Sequence, residues 1–257
     1  MDIERIREHW DDQARKFGTQ AQASWADLLL HKEIRTVCHY VPDRSVLLDA
    51  GCANGFSTIA VARSRTSMLH GIDYSREMIF QARKALATEP LSVQERITFS
   101  VGDVRKLPFC DDNFEIVLSK RCITNLNTRG FQDAALMEFH RILKRGGLLL
   151  LSEPTLDGLE RLNQMRARFH LPELKAPWHN LYLDESRLLS VSRPYFELER
   201  VVNFSSTYYV GSRVLYPFLV GNNEKRIRHD FILNKIFLAL PAVGPYGVQK
   251  LFVLRRR

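Results

Sequence analysis

The chain has 257 residues, 45% of them hydrophobic and 26% charged, which is enough for one large domain, or one domain with a cap, around a sizeable core. No apolar run approaches the roughly 20 residues of a membrane span, and the charged N-terminus shows no secretory signal. The four cysteines are scattered without a Cys-x-x-Cys pair, which fits a reduced cytosol and argues against a disulfide framework or a zinc site. We therefore expect a cytoplasmic protein without a bound metal. The net charge of +8 would suit nucleic acid, anionic lipid or a phosphorylated substrate, but part of it is the arginine run at 255–257.

Two helices are predicted before the first strand. Residues 2–17 place apolar side chains, including Trp10 and Phe17, at helical spacing among many charges. A second apolar pattern runs from Trp25 towards the helix stop at Pro42.

Residues 46–55 form the most informative stretch of the sequence. The run 46–50 predicts a buried strand, and the apolar spacing from Phe56 onwards predicts a helix. Between them, Gly51 and Gly55 predict a tight turn in which backbone N–H groups and the helix N-terminus approach a ligand, because glycine has no Cβ to obstruct it. Asp49 is a fixed carboxylate beside that turn. The spacing lacks the middle glycine of a dinucleotide fingerprint, which weighs against an NAD-dependent oxidoreductase.

Two further predicted strands each lead to an aspartate. Residues 68–73 predict a strand that ends in Asp73, and residues 97–101 alternate as a third strand shortly before Asp103. A carboxylate after the second strand can accept hydrogen bonds from both hydroxyls of a ribose. Proteins that bind NAD and proteins that bind S-adenosylmethionine share that feature. It therefore predicts a ribose-containing ligand without distinguishing these two classes of protein.

The glycine turn resembles motif I of the class I S-adenosylmethionine (SAM)-dependent methyltransferases, and later features match that family in order. Residues 107–114 look like the approach to strand four in methyltransferases of ubiquinone and menaquinone biosynthesis, and strand 115–119 follows. A helix at 131–143 and the glycine pair at 146–147 then precede a fifth strand. The resemblance covers about residues 44–153. It implies SAM as cofactor, S-adenosylhomocysteine (SAH) as product, and cofactor contacts at Asp49, Gly51, Ala53, Gly55, Asp73, Tyr74, Met78, Asp103, Val104 and Ser119.

Within that resemblance, Asp73 binds the ribose, Asp103 binds the adenine amino group, and Val104 packs near the adenine ring. Tyr74 and Met78 flank the adenosine. The N-terminal helices of the family lie over the cofactor pocket, so Trp25 or Lys16 could touch the ligand; plain packing and solvation are the alternative for these two residues.

The alternation of strands and helices predicts an α/β fold with a doubly wound, mostly parallel seven-stranded sheet. We expect an antiparallel last strand, N-terminal helices and helical cap insertions. Strands six and seven are predicted at 196–204 and 248–254. A single domain is expected over 1–257, with its core at about 44–154, 184–204 and 246–255.

Two insertions depart from the minimal fold, at about 155–183 and 205–245. The second contains helical patterns at 208–220 and 226–240 and is too long for a hairpin loop. Both mix aromatic and polar residues, as small-ligand pockets do. We expect them to fold together over the carboxyl ends of the strands and to form the acceptor pocket.

Methyl transfer from SAM is an in-line displacement at an activated sulfonium, so the enzyme mainly positions the acceptor and removes at most one proton. His179 is the candidate base, Glu153 lies at the end of strand five, and Tyr208 offers a hydroxyl group to the acceptor. Structural hydrogen bonding or core packing is the alternative for all three. Lys120 and Arg121, after strand four, either hold a carboxylate of the cofactor or substrate or form a solvated pair.

We expect a SAM-dependent methyltransferase that acts on an oxygen or nitrogen of a small-molecule metabolite. The segment 119–122 lacks the Pro-Pro sequence found after strand four in adenine and glutamine N-methyltransferases, so a nucleic-acid partner is not expected. The alternatives are an RNA or DNA methyltransferase and a catalytically silent SAM-binding protein. The sequence leaves the acceptor and the oligomeric state open.

Overall fold

The computed structural model describes residues 3–23, 28–221 and 232–257. Its centre is a seven-stranded sheet with the order β3-β2-β1-β4-β5-β7-β6. Strands β1 to β5 are parallel, and β7 is antiparallel to both of its neighbours. The predicted fold class, including the antiparallel last strand, is confirmed. The strands are β1 Val46–Ala50, β2 Met68–Asp73, β3 Ile97–Val101, β4 Phe114–Lys120, β5 Leu143–Pro154, β6 Phe196–Val202 and β7 Gln249–Arg256.

The helices of the described residues cover both faces of this sheet and one of its ends. Two predictions fall outside the described ranges: the ligand contact at Trp25 and the part of a helix at residues 226–231. The helices are α1 Ile3–Phe17, α2 Leu29–His39, α3 Phe56–Ser64, α4 Arg76–Leu86, α5 Leu91–Gln94, α6 Arg129–Ile142, α7 Leu156–Arg168, α8 Glu185–Ser192, α9 Ser206–Val210, α10 Tyr216–Leu219 and α11 Ile232–Ala239.

The central strands are apolar on both sides because helices bury both faces of the sheet. On β1, Leu47 packs into the cluster on the α2–α3 side, whereas Leu48 packs into the cluster on the α6 side. On β4, Leu118 packs into the cluster on the α2–α3 side and Val117 packs into the cluster on the α6 side. This packing fixes the register of the central strands, and with it the edge of the sheet at which their carboxyl ends meet.

The segments after β5 and β6 form a cap that packs as one apolar cluster. Leu162 of α7 lies against Val214 of the second segment and against Val248, just before β7. The approach is close, because a Cβ added at Gly158 would lie 2.3 Å from the carbonyl oxygen of Gly247. Since β6 runs parallel to β5, both segments leave the sheet at the same edge as the glycine turn.

Several predicted boundaries differ from the structure. The glycine pair at 146–147, predicted to precede strand five, lies within β5, which begins at Leu143. Strand six ends at Val202 instead of 204, and β7 begins at Gln249 and continues to Arg256. The predicted helix at 208–220 is divided into α9, a π-helical turn at Gly211–Leu215 and α10. Phe237 of α11 packs directly over Gly211, where an added Cβ would lie 2.1 Å from its ring. That contact depends on α11, which is distant in sequence.

Within the described residues, no helix is both long and apolar enough to cross a bilayer.

Candidate active site

One cavity lies over the carboxyl ends of the parallel strands and extends under the cap. Its volume is about 1190 Å³, including space at its mouth that is open to solvent. It is lined by Ile3, Trp10, Asp49, Gly51, Cys52, Ala53, Ser57, Asp73, Tyr74, Met78, Gly102, Asp103, Val104, Arg105, Lys120, Arg121, Cys122, Thr124, Asn125, Leu126, Pro154, His179, Asn180, Tyr182, Tyr209 and Gln249.

The turn after β1 places its backbone against the cavity. Gly51 has φ +77°, and an added Cβ would lie 2.4 Å from the Sγ of Cys122. Glycine is therefore required there both by the backbone conformation and by the approach of the loop after β4. Gly55 also has positive φ, but it caps α3 and packs against Phe99 instead of lining the cavity. Of the two predicted glycines, Gly51 borders the ligand space and Gly55 shapes the turn behind it.

Asp73 and Asp49 are buried carboxyl groups with different partners. The Asp73 oxygens accept hydrogen bonds from the backbone N–H groups of Ala53 and Ser75, both at 2.9 Å. Burial raises the pKa of Asp73 to about 6. Asp49 accepts a hydrogen bond from the Thr58 hydroxyl at 2.6 Å, and burial raises its pKa above its ordinary value. Asp73 therefore ties the end of β2 to the glycine turn and still lines the cavity.

Asp103 is the most exposed of the three aspartates and is paired with Arg105. The guanidinium donates to both carboxylate oxygens, at 2.6 to 3.0 Å, and lies over the Phe131 ring at 4.3 Å. Burial acts to raise the pKa of Asp103, but the hydrogen bonds from Arg105 outweigh it and lower the pKa. Asp103 is thus ionised and held in place at the end of the cavity beyond β3.

Several lining residues carry buried polar atoms that have no protein partner within the described residues. Because an unsatisfied buried polar atom costs about 1–3 kcal/mol, such a set favours a polar ligand. Together with the ionised Asp103 and the buried carboxyl group of Asp73, it fits the polar groups of SAM. The atoms are Tyr74 Oη, Thr124 Oγ1, His179 Nδ1 and Asn180 Oδ1.

Helix α1 and the cap loop meet over the mouth of the cavity. The His179 ring stacks on His9 with centroids 4.6 Å apart, and the edge of Trp10 faces it at 5.4 Å. Trp10 Nε1 donates to Asn125 Oδ1 at 3.3 Å, which connects α1 to the loop after β4. Burial, with a smaller contribution from His9, lowers the pKa of His179 to about 4. The imidazole is therefore neutral at pH 7, and it accepts hydrogen bonds more readily than it takes up a full proton.

Two of the three predicted acceptor-side residues lie outside the cavity lining. Glu153 is fully buried, and its carboxyl group accepts hydrogen bonds from the N–H groups of three consecutive residues after β4, at 2.8 to 3.4 Å. Burial raises its pKa to about 8. Tyr208 is also fully buried, in the core beside α2, whereas the adjacent Tyr209 lines the cavity. Glu153 shapes the loop after β4 and Tyr208 packs the core, so neither side chain is placed to touch an acceptor.

Ser119, a predicted cofactor contact, also lies outside the cavity lining, because successive side chains of a strand point to opposite faces of the sheet. Its side chain is fully buried and does not line the cavity, whereas that of the next residue, Lys120, does. The other predicted cofactor positions, apart from Gly55, line the cavity. Tyr182 and Tyr209, aromatic residues of the two insertions that the sequence analysis expects to form the acceptor pocket, line the cavity, as does Gln249, which the sequence analysis missed. The polar and aromatic loop around His179 was a signal for Asn180 and Tyr182, but no local pattern marks Gln249.

Comparison with known proteins agrees with this geometry. A family model described as a methyltransferase domain matches residues 43–185, more than half of the chain. The chain therefore belongs to the methyltransferase-domain family. The expectation of a SAM-dependent methyltransferase is confirmed at the level of the family.

Individual relatives match over part of their length. A putative methyltransferase of Encephalitozoon cuniculi is 31% identical over 146 residues, which are 57% of this chain and 60% of the relative. The demethylmenaquinone methyltransferase of Chlorobaculum parvum is 32% identical over 110 residues, which are 42% of this chain and 40% of that protein. The matched part of the chain thus spans 40% to 60% of the length of these relatives.

A solved structure matches the fold over the whole chain. The magnesium protoporphyrin IX methyltransferase of Synechocystis PCC 6803, solved with bound SAH, has a TM-score of 0.61 and 14% sequence identity. The alignment covers 100% of both chains. At that identity the likeness concerns the fold alone.

Proposed function

We propose that this protein transfers the methyl group of SAM to an oxygen or nitrogen of a small-molecule acceptor. The observation that carries the proposal is the continuity of the cavity. The same space is lined by the aspartates and glycine turn at one end and by His179, Tyr182 and Tyr209 of the cap at the other. Cofactor and acceptor would therefore meet in one enclosed site.

The residues at the first end have the chemistry to hold SAM, which supplies a methyl group on a positively charged sulfur. Asp73 accepts hydrogen bonds from the ribose hydroxyls, and Asp103 accepts one from the adenine amino group. Met78 and Val104 provide apolar contacts to the ring, and the turn at Gly51 leaves room for the methionine part. These roles follow from the positions of the residues around the cavity and from the family resemblance.

The residues at the cap end orient the acceptor and exclude water. Tyr209 and Tyr182 offer ring faces and hydroxyl groups, and the neutral His179 accepts a hydrogen bond from an acceptor O–H or N–H. Removing water and fixing the acceptor next to the methyl group supplies most of the rate enhancement that such a displacement needs. An enclosed cap of this kind favours a small molecule over a polynucleotide.

The likeness to the methyltransferases of ubiquinone and menaquinone biosynthesis supports membership of that group of small-molecule enzymes as a finer form of the family assignment. It rests on residues 107–114 before β4 and on the match of 110 residues to a demethylmenaquinone methyltransferase.

The test combines binding and turnover. Calorimetry should show SAH binding in the low micromolar range, about −8 kcal/mol. A screen of metabolite extracts with methyl-labelled SAM should then transfer label to a small molecule. SAH binding without transfer to any fraction would favour a silent binding protein. Label appearing in RNA or DNA, with binding that weakens steeply as salt rises, would favour a nucleic-acid enzyme. Binding of NAD instead of SAH would overturn the proposal.

A further inference from the structure

Two cations and one carboxylate meet where β4 ends at the cavity. Arg121 follows β4 with φ +53°, and its Nη2 forms an ion pair with Glu33 Oε2 at 2.7 Å. The other Glu33 oxygen accepts hydrogen bonds from the Ser152 hydroxyl and from Gln249 Nε2. Glu33 is fully buried. Its carboxylate is therefore already committed on both oxygens.

Lys120 is the second cation of this group, and it has no hydrogen-bond or ion-pair partner among the residues that the structure describes. Its neighbour across the sheet is Ser152, so it lies next to the Glu33 and Gln249 network. Four charged or titratable groups act on it electrostatically: Glu33, Arg121, Asp49 and Glu153.

None of the three acids is bonded to the Lys120 ammonium. Glu33 is paired with Arg121, and Asp49 is bonded to Thr58. Glu153 is occupied by backbone N–H groups, and its pKa of about 8 keeps it mostly protonated at neutral pH. Burial of the side chain lowers the pKa of Lys120, and its ammonium has no direct counter-ion within the described residues. An ammonium in this position is stabilised by an anion that enters the cavity.

We propose that Lys120 binds a carboxylate of the methyl acceptor, so that the substrates of this enzyme are organic acids. The inference rests on the proposed methyltransferase function, because it assigns the second ligand of the same cavity. Gln249, also on the cavity wall, is held by its hydrogen bonds to Glu33 and Ser152, and the rings of Tyr182 and Tyr209 suit the carbon skeleton attached to the carboxylate. A single ammonium matches a singly charged carboxylate; a phosphate dianion generally requires more donors.

The strand order separates this group from most of the cofactor site. β4 lies between β1 and β5, whereas Asp73 and Asp103 follow β2 and β3 on the opposite side of β1. Gln249 begins β7, and Tyr209 belongs to the cap segment after β6. Lys120 therefore faces the acceptor side of the cavity. The carboxylate of SAM itself is the competing partner, and the experiment separates the two.

The experiment compares paired probes in four proteins: wild type, Lys120→Met, Lys120→Arg and the control Lys84→Met. Lys84 lies exposed on α4, outside the cavity lining. The probes are benzoate, phenylacetate and 4-hydroxybenzoate, each with its neutral amide, and their affinities are measured by ligand-observed NMR with and without saturating SAH. SAH affinity is measured separately by calorimetry.

In the wild type and in Lys84→Met, we expect at least one carboxylate to bind tenfold or more tightly than its amide. Lys120→Met should abolish that preference, and Lys120→Arg should retain part of it. SAH should bind all four proteins equally. If no carboxylate exceeds its amide in the wild type, the inference is wrong. A tenfold loss of SAH affinity in Lys120→Met would assign the lysine to the cofactor, and stronger competition by inorganic phosphate would assign it to a phosphate. If the wild type prefers carboxylates but does not bind SAH, the proposed function is wrong while the assignment of Lys120 to a carboxylate stands.

Discussion

The two ends of the cavity are built in different ways. The cofactor end consists of residues that directly follow strands β1, β2 and β3, each within a few positions of a strand end. The acceptor end is assembled from the loop at 178–182, α9 and the start of β7, whereas α1 packs on Ala53 and Met78 of the cofactor end and also contacts His179. The first end is fixed mainly by the sheet, whereas the second depends on how segments distant in sequence pack on one another. Changes at the two ends should therefore have separable effects on cofactor binding and on acceptor use.

The largest expected effect is at the glycine turn. Gly51→Ala forces a residue with a Cβ into a backbone with φ +77° and places that Cβ against Cys122. The left-handed conformation alone costs about 1–2 kcal/mol, and the contact must also displace the loop that borders the cavity. We expect SAH affinity, measured by calorimetry, to fall by about 100-fold or more.

Gly146→Ala is the matched control for that variant. Gly146 has φ +73°, but an added Cβ would meet no atom within 4 Å. It should lower thermal stability by a similar conformational cost and leave SAH binding unchanged. If both variants bind SAH like the wild type, the turn is not part of the cofactor site.

The next effect concerns the carboxylate after β2. Asp73→Ala removes the acceptor for the ribose hydroxyls and the partner of two backbone N–H groups. We expect SAH binding to weaken by about 1.5–3 kcal/mol. Asp103→Ala should cost about 1 kcal/mol or less, because Asp103 is partly exposed and shares its charge with Arg105. If calorimetry shows a larger loss of SAH affinity in Asp103→Ala than in Asp73→Ala, Asp103 contributes more to cofactor binding than Asp73, contrary to this prediction.

The pH dependence sharpens the assignment of Asp73. Its pKa in the folded protein is raised to about 6, so the carboxyl group is increasingly protonated below that pH. If SAH binds the ionised form, its affinity should fall by up to about tenfold for each pH unit below 6 and be constant above it. Asp73→Asn should bind weakly at every pH and lose this dependence. A wild-type profile that is flat between pH 5 and 7 would contradict the ribose role.

Smaller effects are expected at the acceptor end, and they should appear in turnover instead of SAH binding. Tyr209→Phe removes a hydroxyl group from the cavity wall, and His179→Ala removes a hydrogen-bond acceptor. Each should lower kcat/KM by about tenfold for an acceptor found in the metabolite screen. Tyr208→Phe is the neighbouring control, because Tyr208 is buried outside the cavity. If kcat/KM falls equally in Tyr208→Phe and Tyr209→Phe, the effect of both tyrosines comes from packing and not from contact with the acceptor.

The difference between the two ends also explains what the sequence could predict. Asp49, Gly51, Asp73 and Asp103 lie at strand ends, where a short pattern determines both the element and its position over the sheet. The rest depends on tertiary contacts. Tyr209 lines the cavity and Tyr208 is buried in the core, because of how α9 packs on segments distant in sequence.

Glu153 shows a second limit of the sequence pattern. Its place at the end of β5 was predicted correctly, because the apolar run before it defines the strand. Its chemistry was not, because three backbone N–H groups from another loop surround the carboxyl group. Strand position is a local property, whereas the hydrogen-bond partners of a buried acid depend on the loops that fold against it.

The smallest predicted effect is a difference in how the two ends respond to acid. Burial lowers the pKa of His179 to about 4, below its ordinary value of 6.5, so the unfolded chain binds more protons than the folded one between these values. This end should therefore lose stability as pH falls from 6.5 towards 4, whereas Asp73, with its raised pKa, contributes the opposite sign between about pH 6 and 4. Because His179 is only partly buried, we expect a loss of about 1 kcal/mol. His179→Phe keeps the ring stacked on His9 without the titrating nitrogen, so its unfolding free energy in urea should decline less than that of the wild type between pH 6.5 and 4.5. Parallel declines in the two proteins would show that the contact between α1 and the cap loop does not titrate in this range.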